Sequence, residues 1–97
     1  MTRDELRERL AAWPRVRLAH LPTPLDPLPR FSAALQGPEG GPAIWIKRDD
    51  MTGLAFGGNK ARQLEFVFAD MMRAGADVLV AGAYTQSNWC RQMTAAC

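Results

Sequence analysis

The chain has 97 residues, of which 47% are hydrophobic and 23% are charged, a composition typical of a globular protein of at most one domain. Twelve basic and ten acidic side chains give a net charge of +2, far from the basic surface of a nucleic-acid-binding protein, which argues against nucleic acid as a partner. No apolar run reaches the length of a membrane span, and residues 1–13 lack the apolar centre of a signal peptide. We therefore expect a cytoplasmic protein without a membrane partner.

The first half of the chain predicts two short helices separated by a proline-rich segment. Thr2 and Glu5 have the spacing of a capping box, which predicts a helix within residues 1–13. Apolar residues at helical spacing over 28–35 predict a second helix, which ends at Gly37. The first helix is expected to be a peripheral arm.

The second half predicts an alternation of strands and helices. The apolar run 43–46 predicts a buried strand, and a strongly amphipathic pattern predicts a helix over 59–74, closed by Gly75. A second apolar run over 78–82 predicts another strand, followed by a helix beginning near Asn88. This order implies an α/β fold with a right-handed βαβ unit and a parallel strand pair, whose ligands bind beyond the carboxyl ends of the strands.

The two cysteines and the single histidine do not predict a metal site. Cys90 and Cys97 are seven positions apart, which on a helix separates them by about 10 Å along the axis, too far for a disulfide. We therefore expect two free thiols. Together with His20 they have no arrangement typical of metal ligands.

Lys60 is the strongest candidate for chemistry. It lies in the first turn of a predicted helix, where the positive end of the helix dipole favours the neutral, nucleophilic amine that imine formation requires. The chain has two lysines against ten arginines, and arginine cannot form a Schiff base. On position alone, a solvated lysine that merely begins a helix is the alternative interpretation. The preceding Gly57 and Gly58 are typical of a tight turn or, alternatively, of a phosphate-binding nest.

Polar residues at two other loops are weaker candidates. Ser87 and Asn88 offer a hydroxyl and an amide at a helix N-terminus, although capping alone would account for Ser87. Asp49 and Asp50 could form an acid–base pair, but a role in starting the loop is the favoured interpretation.

Four motifs occur in order along the chain: His20–Leu25, Ile46–Asp50, Gly57–Lys60 and Gln86–Asn88, the last followed by Arg91 and Gln92. From about Arg15 onward, this ordered set resembles the 1-aminocyclopropane-1-carboxylate (ACC) deaminase and D-cysteine desulfhydrase family. The resemblance implies a pyridoxal 5'-phosphate enzyme of the tryptophan synthase β-like fold (fold type II). It also implies that residues 1–97 form the N-terminal portion of such an enzyme, a partial three-layer, parallel-sheet α/β domain with 1–13 as a helical arm.

The resemblance also assigns roles to three residues. Lys60 corresponds to the lysine that holds the cofactor as a Schiff base and is therefore both a catalytic and a cofactor-binding residue. Asn88 corresponds to the asparagine that contacts the cofactor's ring oxygen, and Ser87 to a catalytic serine beside the substrate carboxylate. Trp89 departs from the histidine or glutamine common at its position, and we expect it to reshape the substrate side of the pocket.

The implied reaction acts on a small amino acid. A D-cysteine desulfhydrase-like activity would release pyruvate, ammonia and sulfide, and ACC deaminase or L-cysteate sulfo-lyase activity is the alternative. A truncated, non-catalytic fragment is the alternative from a different class, because the last helix has no closing signal and the family's phosphate-binding loop is not among these residues. We expect the full-length form to be a homodimer.

Overall fold

The computed structural model describes all residues, 1–97, and contains four α-helices, two short strands and two 3₁₀ turns. In chain order these are α1 (Arg3–Ala11), β1 (Leu25–Pro27), α2 (Pro29–Ala34), β2 (Trp45–Lys47), 3₁₀ turns at Asp49–Met51 and Leu54–Phe56, α3 (Lys60–Ala74) and α4 (Asn88–Ala96). The radius of gyration is 17.8 Å, larger than the roughly 13 Å expected of a compact domain of 100 residues. No helix is both long and apolar enough to cross a membrane.

Helix α1 begins as its sequence predicts. The Thr2 hydroxyl accepts a hydrogen bond from the Glu5 N–H at 3.2 Å, and the Glu5 carboxylate accepts one from the Thr2 N–H at 2.7 Å. The capping box is thus confirmed. No residue of α1 is buried, so the helix contributes nothing to the core. The predicted second helix is likewise confirmed as α2.

The sheet differs from the predicted parallel pair. Strands β1 and β2 are antiparallel, with Leu25 opposite Lys47 and Pro27 opposite Trp45. All three residues of β2 are exposed, although the sequence predicted a buried strand. The partner comes from the proline-rich segment because proline favours extended backbone and is tolerated in the edge strands of this small sheet.

The second predicted strand, 78–82, is not formed. Val78 is 71% and Val80 is 92% exposed, whereas Leu79 between them packs against the core. No backbone hydrogen bond involves residues 77–86. Apolar sequence alone does not make a strand, because the ladder requires a neighbour, and no described residue pairs with this run. The predicted βαβ unit is therefore absent from these residues.

The core lies between α3 and α4. Leu64 and Phe68 of α3 pack against Met93 of α4, and these three side chains are buried. The amphipathic helix over 59–74 is thus confirmed, and so is its end, because Gly75 adopts the left-handed conformation that closes α3 (φ 66°). Both cysteines are free thiols, as predicted.

Candidate functional site

The three predicted site residues lie at the starts of two packed helices. Lys60 is the first residue of α3, Ser87 is the N-cap of α4, and Asn88 is the first residue of α4. Helix α4 packs against both α3 and the 3₁₀ turn that precedes Lys60. The structure therefore joins the loop before Lys60 to the helix that carries Asn88.

The amine of Lys60 has no hydrogen bond or ion pair within the protein, and the side chain is half-buried. The other lysine, Lys47, is held differently, because its ammonium donates to the Thr23 carbonyl. Asn59, the residue preceding α3, does not cap the helix with its side chain. Lys60 is thus the lysine whose amine remains available.

Ser87 caps α4. Its hydroxyl oxygen accepts a hydrogen bond from the Cys90 N–H at 3.2 Å, which confirms the capping interpretation of this residue. A serine hydroxyl also has one O–H donor, which the cap does not use. Capping therefore leaves Ser87 able to donate to a ligand.

Asn88 is held by Arg91, one turn further along α4. The Nη2 of Arg91 donates to Asn88 Oδ1 at 3.1 Å and also to the carbonyl of Gly57 at 3.2 Å. Helix α4 is therefore bonded through one guanidinium to the loop that leads into Lys60. The sequence had placed Arg91 in a family motif without assigning it a role.

An open pocket of about 300 Å³ lies at the start of α4. Its lining is polar throughout and consists of Thr85, Gln86, Ser87, Asn88 and Arg91. Trp89 is not part of this lining; it is half-buried against the Leu64–Phe68–Met93 core. The effect of Trp89 on the substrate side of the pocket stays a prediction.

The loop before Lys60 has room only for glycine at two positions. Gly57 has φ +76° and Gly58 has φ +131°, conformations that other residues rarely adopt. A Cβ atom on Gly57 would overlap the Asp50 carbonyl, and one on Gly58 would overlap the amide of Gln92. The tight-turn interpretation of this pair is thus supported.

Two buried polar side chains fix this loop. The Thr52 hydroxyl accepts from the Gly58 N–H and donates to the Gly58 carbonyl, both at 2.8 Å. Gln92, which is fully buried in α4, donates from Nε2 to the Gly57 carbonyl at 3.0 Å. Buried polar groups with such partners rigidify the structure around them. Thr52 and Gln92 therefore hold the loop before Lys60 in place.

Backbone strain occurs beside the same loop. Ala55 and Phe56 both have positive φ, 45° and 66°, although neither is glycine. The Phe56 side chain is 96% exposed. Strained backbone of this kind costs about 1–3 kcal/mol per residue and clusters at functional sites.

Asp49 forms an ion pair that anchors the start of the loop to α3. Arg62 donates from Nε to Asp49 Oδ2 at 2.9 Å and from Nη2 to Oδ1 at 2.8 Å. The Thr23 hydroxyl donates to Asp49 Oδ1 at 2.9 Å and accepts from Arg62 Nη2 at 3.0 Å. The hydrogen bonds from Arg62 lower the pKa of Asp49. Asp49 is therefore a structural anion rather than half of an acid–base pair.

Glu65 forms a second anchor, deeper in the protein. Its carboxylate accepts from the N–H groups of Leu18 at 3.0 Å and Ala19 at 2.9 Å and pairs with Arg15. Burial alone would raise the pKa of Glu65, but these hydrogen bonds outweigh burial and lower it. Sequence reasoning missed this residue, because a glutamate within an amphipathic helix is usually solvated.

Comparisons with known proteins agree with the motifs. No family model matches the chain. The D-cysteine desulfhydrase of Klebsiella pneumoniae is 50% identical over 88 residues, which are 91% of this chain and 25% of that protein. The D-cysteine desulfhydrase of Salmonella paratyphi B is 50% identical over 86 residues, covering 89% of this chain and 25% of that protein.

A solved structure shares the fold. The crystal structure of an ACC deaminase homologue matches with a TM-score of 0.86 and 37% sequence identity, over 98% of this chain and 28% of that chain. This match confirms the α/β fold class as a partial domain, with the small sheet described above. Sequence and fold therefore agree that the chain is similar to members of the ACC deaminase and D-cysteine desulfhydrase family, and it spans about a quarter of the length of the relatives it matches.

Proposed function

We propose that these residues carry the cofactor lysine of a pyridoxal 5'-phosphate-dependent lyase or deaminase that acts on a small amino acid. The observation that carries this proposal is the partner-free amine of Lys60 at the end of a rigid loop bonded to the start of α4. A D-cysteine desulfhydrase-like activity is the specific proposal, because the relatives at 50% identity have that name. ACC deaminase and L-cysteate sulfo-lyase activity remain alternatives.

The residues present fit this cofactor. An amine without a protein partner can bond to the aldehyde of pyridoxal phosphate, and Lys60 provides one. An amide donor suits the phenolic oxygen of the ring, and Asn88 has an unused N–H₂ group. The glycine pair at 57 and 58 keeps side chains away from the approach to Lys60. When bound, the pyridinium ring supplies a sink for negative charge at the substrate α-carbon.

The protein side chains then have distinct tasks. Lys60 would hold the cofactor aldehyde through Nζ, and the same Nζ atom would accept a proton from the substrate and return it. Asn88 would hold the phenolic oxygen of the ring through its amide N–H₂, and Ser87 would donate its O–H to the substrate carboxylate.

Activity of the 97 residues in isolation is not part of this proposal. The chain spans about a quarter of its relatives, and Val78 and Val80 are exposed. A non-catalytic fragment therefore stays as the alternative from another class. A cytoplasmic location and a homodimeric full-length form also stay predictions.

Borohydride reduction tests the assignment of Lys60. Full-length protein loaded with pyridoxal phosphate is reduced and digested, and mass spectrometry locates the pyridoxyl group. We expect the label on Lys60, its loss in Lys60→Arg and its retention in the matched control Lys47→Arg. A label on Lys47, or no label in the unmodified protein, would reject the proposal.

The substrate requires a separate experiment. Pyruvate release from D-cysteine and L-cysteate, and release of the corresponding keto acid from ACC, would be measured in parallel with the full-length protein. We expect the highest kcat/KM with D-cysteine. A higher value with either other substrate would replace the specific activity and leave the cofactor assignment unchanged.

A further inference from the structure

The guanidinium of Arg91 connects the two sides of the candidate site. Its Nη2 atom donates to Asn88 Oδ1 at 3.1 Å and to the Gly57 carbonyl at 3.2 Å. Gly57 lies three residues before Lys60, and Asn88 opens α4. One cation therefore links the loop of the candidate lysine to the first side chain of the neighbouring helix.

The bond from Arg91 determines the orientation of the Asn88 amide. A carboxamide has an acceptor end and a donor end, and a guanidinium can only donate. The end that meets Arg91 must therefore be the oxygen. The opposite end, Nδ2, has no hydrogen-bond acceptor within the protein and belongs to a side chain that lines the open pocket. Asn88 is thereby fixed as a donor toward that pocket.

We propose that Arg91 is a positioning residue that acts through Asn88. This inference rests on the proposed function: Arg91 holds the Asn88 oxygen so that the N–H₂ group is presented to the phenolic oxygen of the cofactor bound at Lys60. The bond of Arg91 to the Gly57 carbonyl fixes this donor relative to the lysine loop. Without Arg91 the amide can rotate by half a turn and present its oxygen, which repels the oxygen of the ring.

Gln92 allows the positioning role of Arg91 to be tested without releasing the loop from α4. It donates to the same Gly57 carbonyl at 3.0 Å and is fully buried. The loop thus remains bonded to α4 when Arg91 is replaced. Arg91 itself is only half-buried, and its Nη1 has no partner in the protein. Loss of the Arg91 side chain is therefore expected to change the orientation of Asn88 more than the stability of the fold.

A double-mutant cycle tests the proposal in the full-length protein. Arg91→Met, Asn88→Ala and the double variant are loaded with pyridoxal phosphate, and the cofactor dissociation constant is measured by fluorescence. We expect each single variant to weaken binding about tenfold, the effect of one hydrogen bond of about 1.4 kcal/mol. The double variant is expected to be no weaker than Asn88→Ala, because Arg91 acts through Asn88.

A spectroscopic readout separates positioning from a structural role. An N–H donor stabilises the phenolate of the cofactor, so its loss is expected to raise the pH midpoint of the visible absorbance change in both single variants by a similar amount. Arg73→Met is the matched control, because Arg73 is an exposed arginine paired only with Asp70. It should leave the dissociation constant and the midpoint unchanged.

The outcomes distinguish this inference from the proposed function. Additive losses in the cycle, or a midpoint that shifts in Asn88→Ala but not in Arg91→Met, would overturn the role of Arg91 while borohydride still labels Lys60. If borohydride does not label Lys60 in the unmodified protein, the proposed function itself fails. Non-additive losses with parallel midpoint shifts support the inference.

Discussion

Two loop regions of this molecule have opposite characters. Residues 49–58 contain two 3₁₀ turns and three glycines, and side chains of α3 and α4, together with the loop's own Thr52, bond to them. Residues 77–86 contain the apolar run typical of a strand, yet no backbone hydrogen bond involves them. The comparison shows that residues 49–58 are held by side-chain hydrogen bonds, whereas the apolar run contacts the core through Leu79.

This difference has a consequence for the candidate site. The loop that leads to Lys60 is held in position by contacts within residues 1–97. Asn88 follows segment 77–86, and its position depends on the packing of α4 against α3 and on Arg91 and Gln92, which bond α4 to the loop before Lys60. The α3–α4 core and the hydrogen bonds to the loop, and not the sheet, therefore determine how Lys60 and Asn88 lie relative to each other.

The largest expected effect comes from removing the buried carboxylate of Glu65, which bonds α3 to residues 15–19. Glu65→Ala should lower the free energy of unfolding by about 2–4 kcal/mol, because it leaves the N–H groups of Leu18 and Ala19 without their acceptor. Urea unfolding of the chain measures the change. Glu39→Ala, at an exposed position, should stay within about 0.5 kcal/mol. Equal losses in the two variants would contradict the anchoring role of Glu65.

A smaller effect is expected at the glycine pair. Gly57→Ala should destabilise the chain by about 1–3 kcal/mol from the positive φ alone, and the overlap with the Asp50 carbonyl adds to this loss. The control is Gly82→Ala in segment 77–86, where a Cβ meets nothing within 4 Å. Thermal unfolding of both variants makes the comparison, and a Gly57→Ala protein as stable as Gly82→Ala would show that the loop is not rigid.

The elements that sequence could predict are those determined locally. Capping signals at Thr2 and Ser87, and the left-handed glycine at position 75, mark helix ends without reference to the rest of the chain. The same local reasoning placed Lys60 and Asn88 at helix starts. Strand pairing is not local, so the apolar pattern could not reveal that β2 pairs with a proline-rich segment.

The roles of the residues that support the site were also beyond sequence reasoning. Gln92 and Arg91 act on the carbonyl of Gly57, which is distant along the chain and carries no side chain to signal the contact. Glu65 bonds to backbone N–H groups, which are present at nearly every residue. A contact with a backbone group does not depend on the identity of the residue that provides the group. The sequence therefore does not reveal such contacts, and only the fold shows them.

The pH dependence of stability should arise at the carboxylates that pair with arginines. Asp49 and Glu65 both have a pKa lowered by their partners. A lowered folded-state pKa gives stability that is present above the unfolded pKa, which is about 4, and is lost as the pH falls through the folded-state pKa. Urea midpoints should therefore decrease with acidification below about pH 4. Asp49→Asn should show a shallower decrease, and an unchanged slope would contradict the assigned ion pair.

The smallest effect is expected in segment 77–86. Val80→Thr keeps the shape of a side chain that is 92% exposed, so it should change the free energy of unfolding by less than about 0.5 kcal/mol. Leu79→Ala is expected to lower the stability more than Val80→Thr. Leu79 packs against the core, and its truncation removes apolar contacts. Urea unfolding should rank Leu79→Ala clearly below Val80→Thr in stability. The reverse ranking would mean that the exposed face of 77–86, and not its core-facing residue, holds the segment in place.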